Sequence, residues 1–153
     1  MSVFHARRQF MRTATVGSVL LACGHQTLAH GSDAIVQPAI PGASVFIDRA
    51  FEMRRLAVDE GDQPYGAIIV RDNSIVGQSW SRVVLDQDPT GHAEVAAIRD
   101  AARRLGSRHL SGAIMYSSSR PCPMCEAAAY WAGVGAMFYG QNAEDAGAPR
   151  LCR

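Results

Sequence analysis

Two short fragments constrain this chain most: His92-Ala93-Glu94 and Pro121-Cys122-Pro123-Met124-Cys125, each at the start of a predicted helix. Two thiolates and one imidazole suit Zn²⁺, and three protein ligands leave the fourth tetrahedral position to water, which separates a catalytic zinc from a structural one. His92, Cys122 and Cys125 are therefore the candidate metal ligands and Zn²⁺ the expected cofactor. A fold that uses them must bring the two helix starts together. Cys122 and Cys125 fall in the first helical turn, where unpaired N–H groups favour anions and lower thiol pKa values, so ionised thiols are expected before metal arrives. Glu94, two residues from a ligand, is the candidate catalytic group that takes a proton from the metal's water. Positions two apart do not share a face of a regular helix, so His92 and Glu94 can both address the metal only if the helix end departs from that geometry.

The surrounding pattern predicts alternating helices and strands. Val45, Phe46, Ala50, Met53, Leu56 and Ala57 recur at helical spacing between charged residues, and that helix ends near Gly61. Gly66 to Val70 and Ser74 to Gly77 flank an Asp72-Asn73 turn, which predicts a hairpin with one strand well buried. Asp88-Pro89-Thr90 signals a helix start, and the apolar face from Ala93 to Leu105 stops near Gly106. Ala113 to Ser117 reads as a strand, Pro123 to Ala132 as a helix closed by Gly133, and Ala136 to Tyr139 as another strand. Such alternation implies an α/β sandwich with a parallel part to its sheet.

The 153 residues, 48% apolar and 19% charged, fit one compact domain preceded by an address. Residues 1–32 carry Arg7, Arg8 and Arg12, no acidic residue, and an apolar stretch from Thr13 to Ala22 too short to cross a membrane. Arg7-Arg8-Gln9-Phe10-Met11-Arg12 resembles a twin-arginine signal, which implies export to the periplasm. Leu20-Leu21-Ala22-Cys23 matches a lipoprotein box and Thr27-Leu28-Ala29 an ordinary cleavage site, so a lipid at Cys23 is the one route to a membrane. Residues 33–43 read as a linker and 44–153 as the zinc-dependent domain. A net charge of +1 without a basic tract disfavours a nucleic acid as partner and favours a small uncharged molecule.

The pattern H-x-E…P-C-x-x-C marks zinc-dependent nucleobase deaminases. With Pro64-Tyr65-Gly66-Ala67, Asp88 to Val95 and Pro121 to Trp131, the run from about Val45 to about Ala148 resembles the cytidine and deoxycytidylate deaminase superfamily. Within it the chain looks most like the guanine deaminase branch and is similar also to tRNA adenosine deaminases. The resemblance implies a three-layer α/β/α cytidine-deaminase-like sandwich with a mixed, five-stranded sheet, a homodimer, and a free nucleobase or nucleoside, guanine-like or isocytosine-like, as substrate. Tyr65, Ser81 and Ala93 are the candidate substrate contacts. Ser81 stands where the family has an Asn that bonds the base, and Arg120 stands where it has a Glu. The family continues past the position of Tyr139 through a further strand and helix, so the domain is expected to be shortened at its C-terminus.

Rival readings of the same residues remain. Cys-x-x-Cys alone is also a redox spacing, but flanking prolines and an upstream His-x-Glu fit zinc better. A closed structural site with Cys152 as fourth ligand, in a non-catalytic zinc-binding module, leaves Glu94 without a role. Tyr65 stacks on a base or packs in the core. Tyr130 and Trp131 read as dimer or core packing.

Overall fold

The computed structural model describes residues 34–151; the address segment with Cys23, and Cys152 at the other end, lie outside the described residues. Eight elements follow in order: α1 (Ala43–Asp59), β1 (Gly66–Arg71), β2 (Ser74–Trp80), α2 (Ala93–Leu105), β3 (Ile114–Ser117), α3 (Pro123–Ala132), β4 (Ala136–Tyr139) and β5 (Glu144–Gly147). The strands form one mixed sheet in the order β2-β1-β3-β4-β5. β1 runs antiparallel to β2 and β3, β3 and β4 are parallel, and β5 returns antiparallel to β4. Of the paired strands that are consecutive in the chain, β3 and β4 are the parallel ones and are joined through a helix, α3, because consecutive parallel strands need a crossover while consecutive antiparallel strands need only a turn.

Strand periodicity sorts the core into two layers. On one face Ile68, Val70, Ile75 and Tyr116 meet Phe46, Ile47 and Met53 of α1. On the other, Ala67, Ile69, Met115 and Met137 meet Ala97, Ile98 and Ala101 of α2 and Ala129 and Ala132 of α3. This is the expected α/β/α sandwich. Successive strand residues point to opposite faces, so a strand covered on both sides reads as an unbroken apolar run, and β1 is buried over five of its six positions. The approach is closest at Gly77, where a Cβ would come within 2.6 Å of the Ala101 side chain, so α2 rests directly on β2.

Glycine and turn chemistry set the element ends. Gly61, Gly106 and Gly133, which follow the three helices, have φ of 82°, 59° and 76°, a left-handed conformation that glycine adopts without steric cost. Asp72 and Asn73 both have positive φ, as a two-residue turn matched to strand twist requires. Val45 and Leu56, read as part of the apolar stripe of α1, are 38% and 37% exposed, because the burying face is set by Phe46, Ile47, Ala50, Met53 and Ala57.

Two other features lie beyond the residue pattern. β2 continues to Trp80, past the expected Gly77, because its whole length pairs with β1. β5 is Glu-Asp-Ala-Gly, with no apolar alternation to mark it; it forms by pairing with Tyr139 and Phe138 and supplies a fifth strand beyond Tyr139. In the stretch read as a linker, Gln37 uses its side-chain amide to bond both the N–H and the C=O of Ile75 at 2.8 Å, and Ile35 packs against the α1-side core.

Candidate active site

The turn Asp88-Pro89-Thr90-Gly91 leads the chain into α2. Asp88 does not cap that helix as the motif predicted; its carboxylate accepts the Thr90 N–H at 2.8 Å and the Thr90 hydroxyl at 2.7 Å, closing a local turn. The N-cap is His92, with extended backbone (φ −60°, ψ 147°) and a carbonyl that accepts the first helical bond from Ala96. His92 thus stands outside the helical repeat while Glu94 stands inside it. That is the departure from regular geometry that two ligand-directed side chains two positions apart require.

α3 begins in the same way. Cys122 is its N-cap in extended conformation, and Pro123 opens the helix where a missing N–H costs nothing. Cys125 is then the third helical residue. The N-cap and third-residue side chains of a helix face each other, the relation a capping box uses, and here the two sulfurs lie 3.5 Å apart.

The three donors converge: His92 Nδ1 is 3.7 Å from Cys122 Sγ and 3.6 Å from Cys125 Sγ. A tetrahedral zinc at ordinary bond lengths sets its sulfurs about 3.8 Å apart and each sulfur about 3.6 Å from the nitrogen. The donor set and its spacing therefore fit zinc. Cys125 is wholly buried, whereas His92 and Cys122 are partly open, so the cluster is reachable from one side.

The surroundings of Cys125 correct one expectation. Burial, and then the Glu94 carboxylate 3.5 Å from its sulfur, push this thiol far above the ordinary range. The helix start does not outweigh them, so ionisation of Cys125 goes with the arrival of a cation and does not precede it.

Glu94 is only 4% exposed. Its Oε2 faces Cys125 Sγ, and its Oε1 accepts a hydrogen bond from the Ser117 hydroxyl at 3.1 Å. Ser117, fully buried at the end of β3, had no place in the motif reading. Its one sequence signal is a hydroxyl at a register position whose strand neighbour Met115 lies in the apolar core beneath α2.

The three proposed substrate contacts are placed differently. Tyr65, just before β1, is 42% exposed and not core. Ala93 is fully buried in the cluster beneath α2, where its methyl fills the packing between helix and sheet. Ser81 is also fully buried; its hydroxyl finds no well-aligned partner, though it lies near enough to Asp62 to favour that carboxylate. Burial opposes ionisation of Asp62, but the N–H groups of Leu85, Gln63 and Val84 and the Ser81 hydroxyl together hold it below the usual carboxylate range. Asp62 thereby pins the loop after β2, a role that no motif announced. Neither Ser81 nor Ala93 presents surface to a ligand here. Arg120 is exposed, with its guanidinium 5.6 Å from the centre of the Tyr139 ring. Core packing is excluded for Tyr130 and Trp131, which are 46% and 71% exposed on α3.

Residues 42–141 match the model of the cytidine and deoxycytidylate deaminase zinc-binding region. Guanine deaminase of Bacillus subtilis is 43% identical over 102 residues, which cover 66% of this chain and 65% of that protein. The tRNA-specific adenosine deaminase of Aquifex aeolicus is 38% identical over 84 residues, 55% of this chain and 56% of that one. The X-ray structure of the Bacillus subtilis guanine deaminase superposes with a TM-score of 0.63 at 42% identity, over 65% of this chain and 64% of that one. The chain thus spans less than two thirds of the length of these relatives.

Proposed function

Since this chain belongs to the cytidine and deoxycytidylate deaminase family, we propose that it is a zinc-dependent hydrolytic deaminase of a small amino heterocycle, a guanine-like or isocytosine-like base or its nucleoside. The observation that carries this is the convergence of His92, Cys122 and Cys125 with one buried carboxylate, Glu94, beside them.

In this reading Cys122, Cys125 and His92 would hold zinc, which when bound would supply hydroxide at neutral pH by lowering the pKa of water to about 7. Glu94 Oε2, the oxygen that faces the ligand cluster, would be the base that takes a proton from the attacking water. The water oxygen would add to the ring carbon that bears the amino group, its two protons would pass by way of Glu94 to the adjacent ring nitrogen and to the amino group, and cleavage of the C–N bond would give the oxo product and ammonia. Tyr65, the exposed member of the three candidate contacts, offers a ring face for the base. The exposed Tyr130 and Trp131 favour a homodimer through α3.

Relatives named for guanine and for tRNA adenosine both match, so charge is the argument that ranks the substrates. A tRNA is held by cations that track its phosphates, and a chain with a net charge of +1 and no basic tract lacks that footprint. An ammonia-release screen over guanine, isocytosine, cytosine, adenine and their nucleosides, run on protein of measured zinc content, is expected to find turnover of guanine or isocytosine. Activity confined to tRNA adenosine, or no ammonia from any free base or nucleoside by a zinc-loaded sample, would overturn the assignment.

We also propose that this activity is exported, on the strength of Arg7-Arg8-Gln9-Phe10-Met11-Arg12 and the apolar stretch after it. Cell fractionation with sequencing of the mature N-terminus is expected to return a periplasmic protein cleaved after Ala22 or Ala29. An intact Met1 on a cytoplasmic protein refutes export.

A further inference from the structure

We propose that Ser117 is a positioning residue for Glu94: its hydroxyl ties down one carboxylate oxygen so that the other is presented to the ligand cluster. The proposal rests on the reading of Glu94 as the proton carrier. Glu94 sits in the first turn of α2, and the last torsion of a glutamate is broad, so helix geometry alone does not fix the plane in which its carboxylate meets the cluster. The Ser117 hydroxyl fixes that plane. It donates to Oε1 at 3.1 Å, while Oε2 stands 3.5 Å from Cys125 Sγ.

The mount for this hydroxyl is rigid. Ser117 pairs with Ala67 of β1 on one side and Tyr139 of β4 on the other, and its carbonyl accepts the Gly140 N–H at 3.1 Å. A serine oxygen on that backbone has little room to wander, since the residue is fully buried. The neighbouring Ser118 does a different job: its hydroxyl accepts the Gly66 N–H and joins the start of β1 to the end of β3. The two adjacent serines are therefore not interchangeable, and only Ser117 reaches the carboxylate. A donor on Oε1 stays compatible with either proton state of Oε2, so the hydroxyl holds the group in place throughout a cycle that loads and unloads the other oxygen.

Four variants test this, read by steady-state kinetics, zinc content and a crystal structure. In Ser117→Ala, kcat is expected to fall about 10- to 100-fold, the scale of a slight misplacement of a reacting group, with KM and zinc content near wild type. Ser117→Thr, which keeps the hydroxyl, is expected to restore kcat to within about threefold. In a Glu94→Gln background the further loss from Ser117→Ala is expected to be under about twofold, because a residue that acts through Glu94 has little left to position. The crystal structure of Ser117→Ala is expected to show the Glu94 carboxylate rotated or spread over two orientations. Wild-type kcat in Ser117→Ala, a full additive loss on top of Glu94→Gln, or an unmoved Glu94 carboxylate overturns the proposal. Should Glu94→Gln itself retain activity, the proton-carrier reading fails, and the carboxylate orientation in Ser117→Ala still decides whether Ser117 positions it.

Discussion

Glu94→Gln is expected to keep its zinc and lose about 10²- to 10⁴-fold in turnover, the usual cost of removing a general acid–base. Glutamine matches glutamate in shape, so its carbonyl oxygen can still accept the Ser117 hydroxyl where Oε1 does now. Its other terminus becomes an NH₂ group, which cannot receive a proton from water and pass it to a leaving amine. Glu94 is also almost wholly buried, so bulk solvent has little access to stand in for it. The measurement is kcat beside metal content by elemental analysis. Turnover at the wild-type rate would leave Glu94 without a catalytic role and return the closed structural site to consideration.

Replacing any one of His92, Cys122 or Cys125 by Ala is expected to abolish stoichiometric zinc and all activity with it. Each would supply one of three donors set 3.5 to 3.7 Å apart, and the two that remain would hold zinc far less well. Stability should follow, because a metal bound by the folded chain and not the unfolded one stabilises it in proportion to the logarithm of its excess over Kd. Stripping wild type with a chelator is therefore expected to lower its Tm, while the three variants should be indifferent to the same chelator. Cys125→Ala carries a further cost, since it also empties volume at a wholly buried position. A variant that retains one zinc per chain would show that its residue is not a ligand.

Both expectations start from residues whose chemistry is legible without a structure. The donor set of His92, Cys122 and Cys125 fits zinc by ligand softness, and the proposal that Glu94 carries protons starts from its place two residues from His92. The substrate contacts were less legible. Ser81 and Ala93 are candidates by position along the chain alone, and the fold buries both completely. A resemblance transfers positions, but the surface that a position offers depends on what packs over it.

What the amino-acid sequence determined by itself was local in range. Gly61, Gly106 and Gly133 mark the helix ends because only their short-range backbone freedom is needed there, and Asp72-Asn73 marks the hairpin for the same reason. The apolar period of 3.6 in α1 and α2 and the short unbroken apolar run of β1 are likewise properties of neighbouring residues. The tertiary structure alone decided what depends on partners distant along the chain. β5 has no apolar period and exists because β4 offers it an unpaired edge. The Cys125 thiol is raised by burial and by Glu94, against the helix start that local reasoning favoured. Ser117 meets Glu94 because β3 lies under α2 in one particular register. Hydrogen bonds and burial of that kind are made between elements, and the pairing of elements is settled by the packing of the whole core, which no short window of sequence contains.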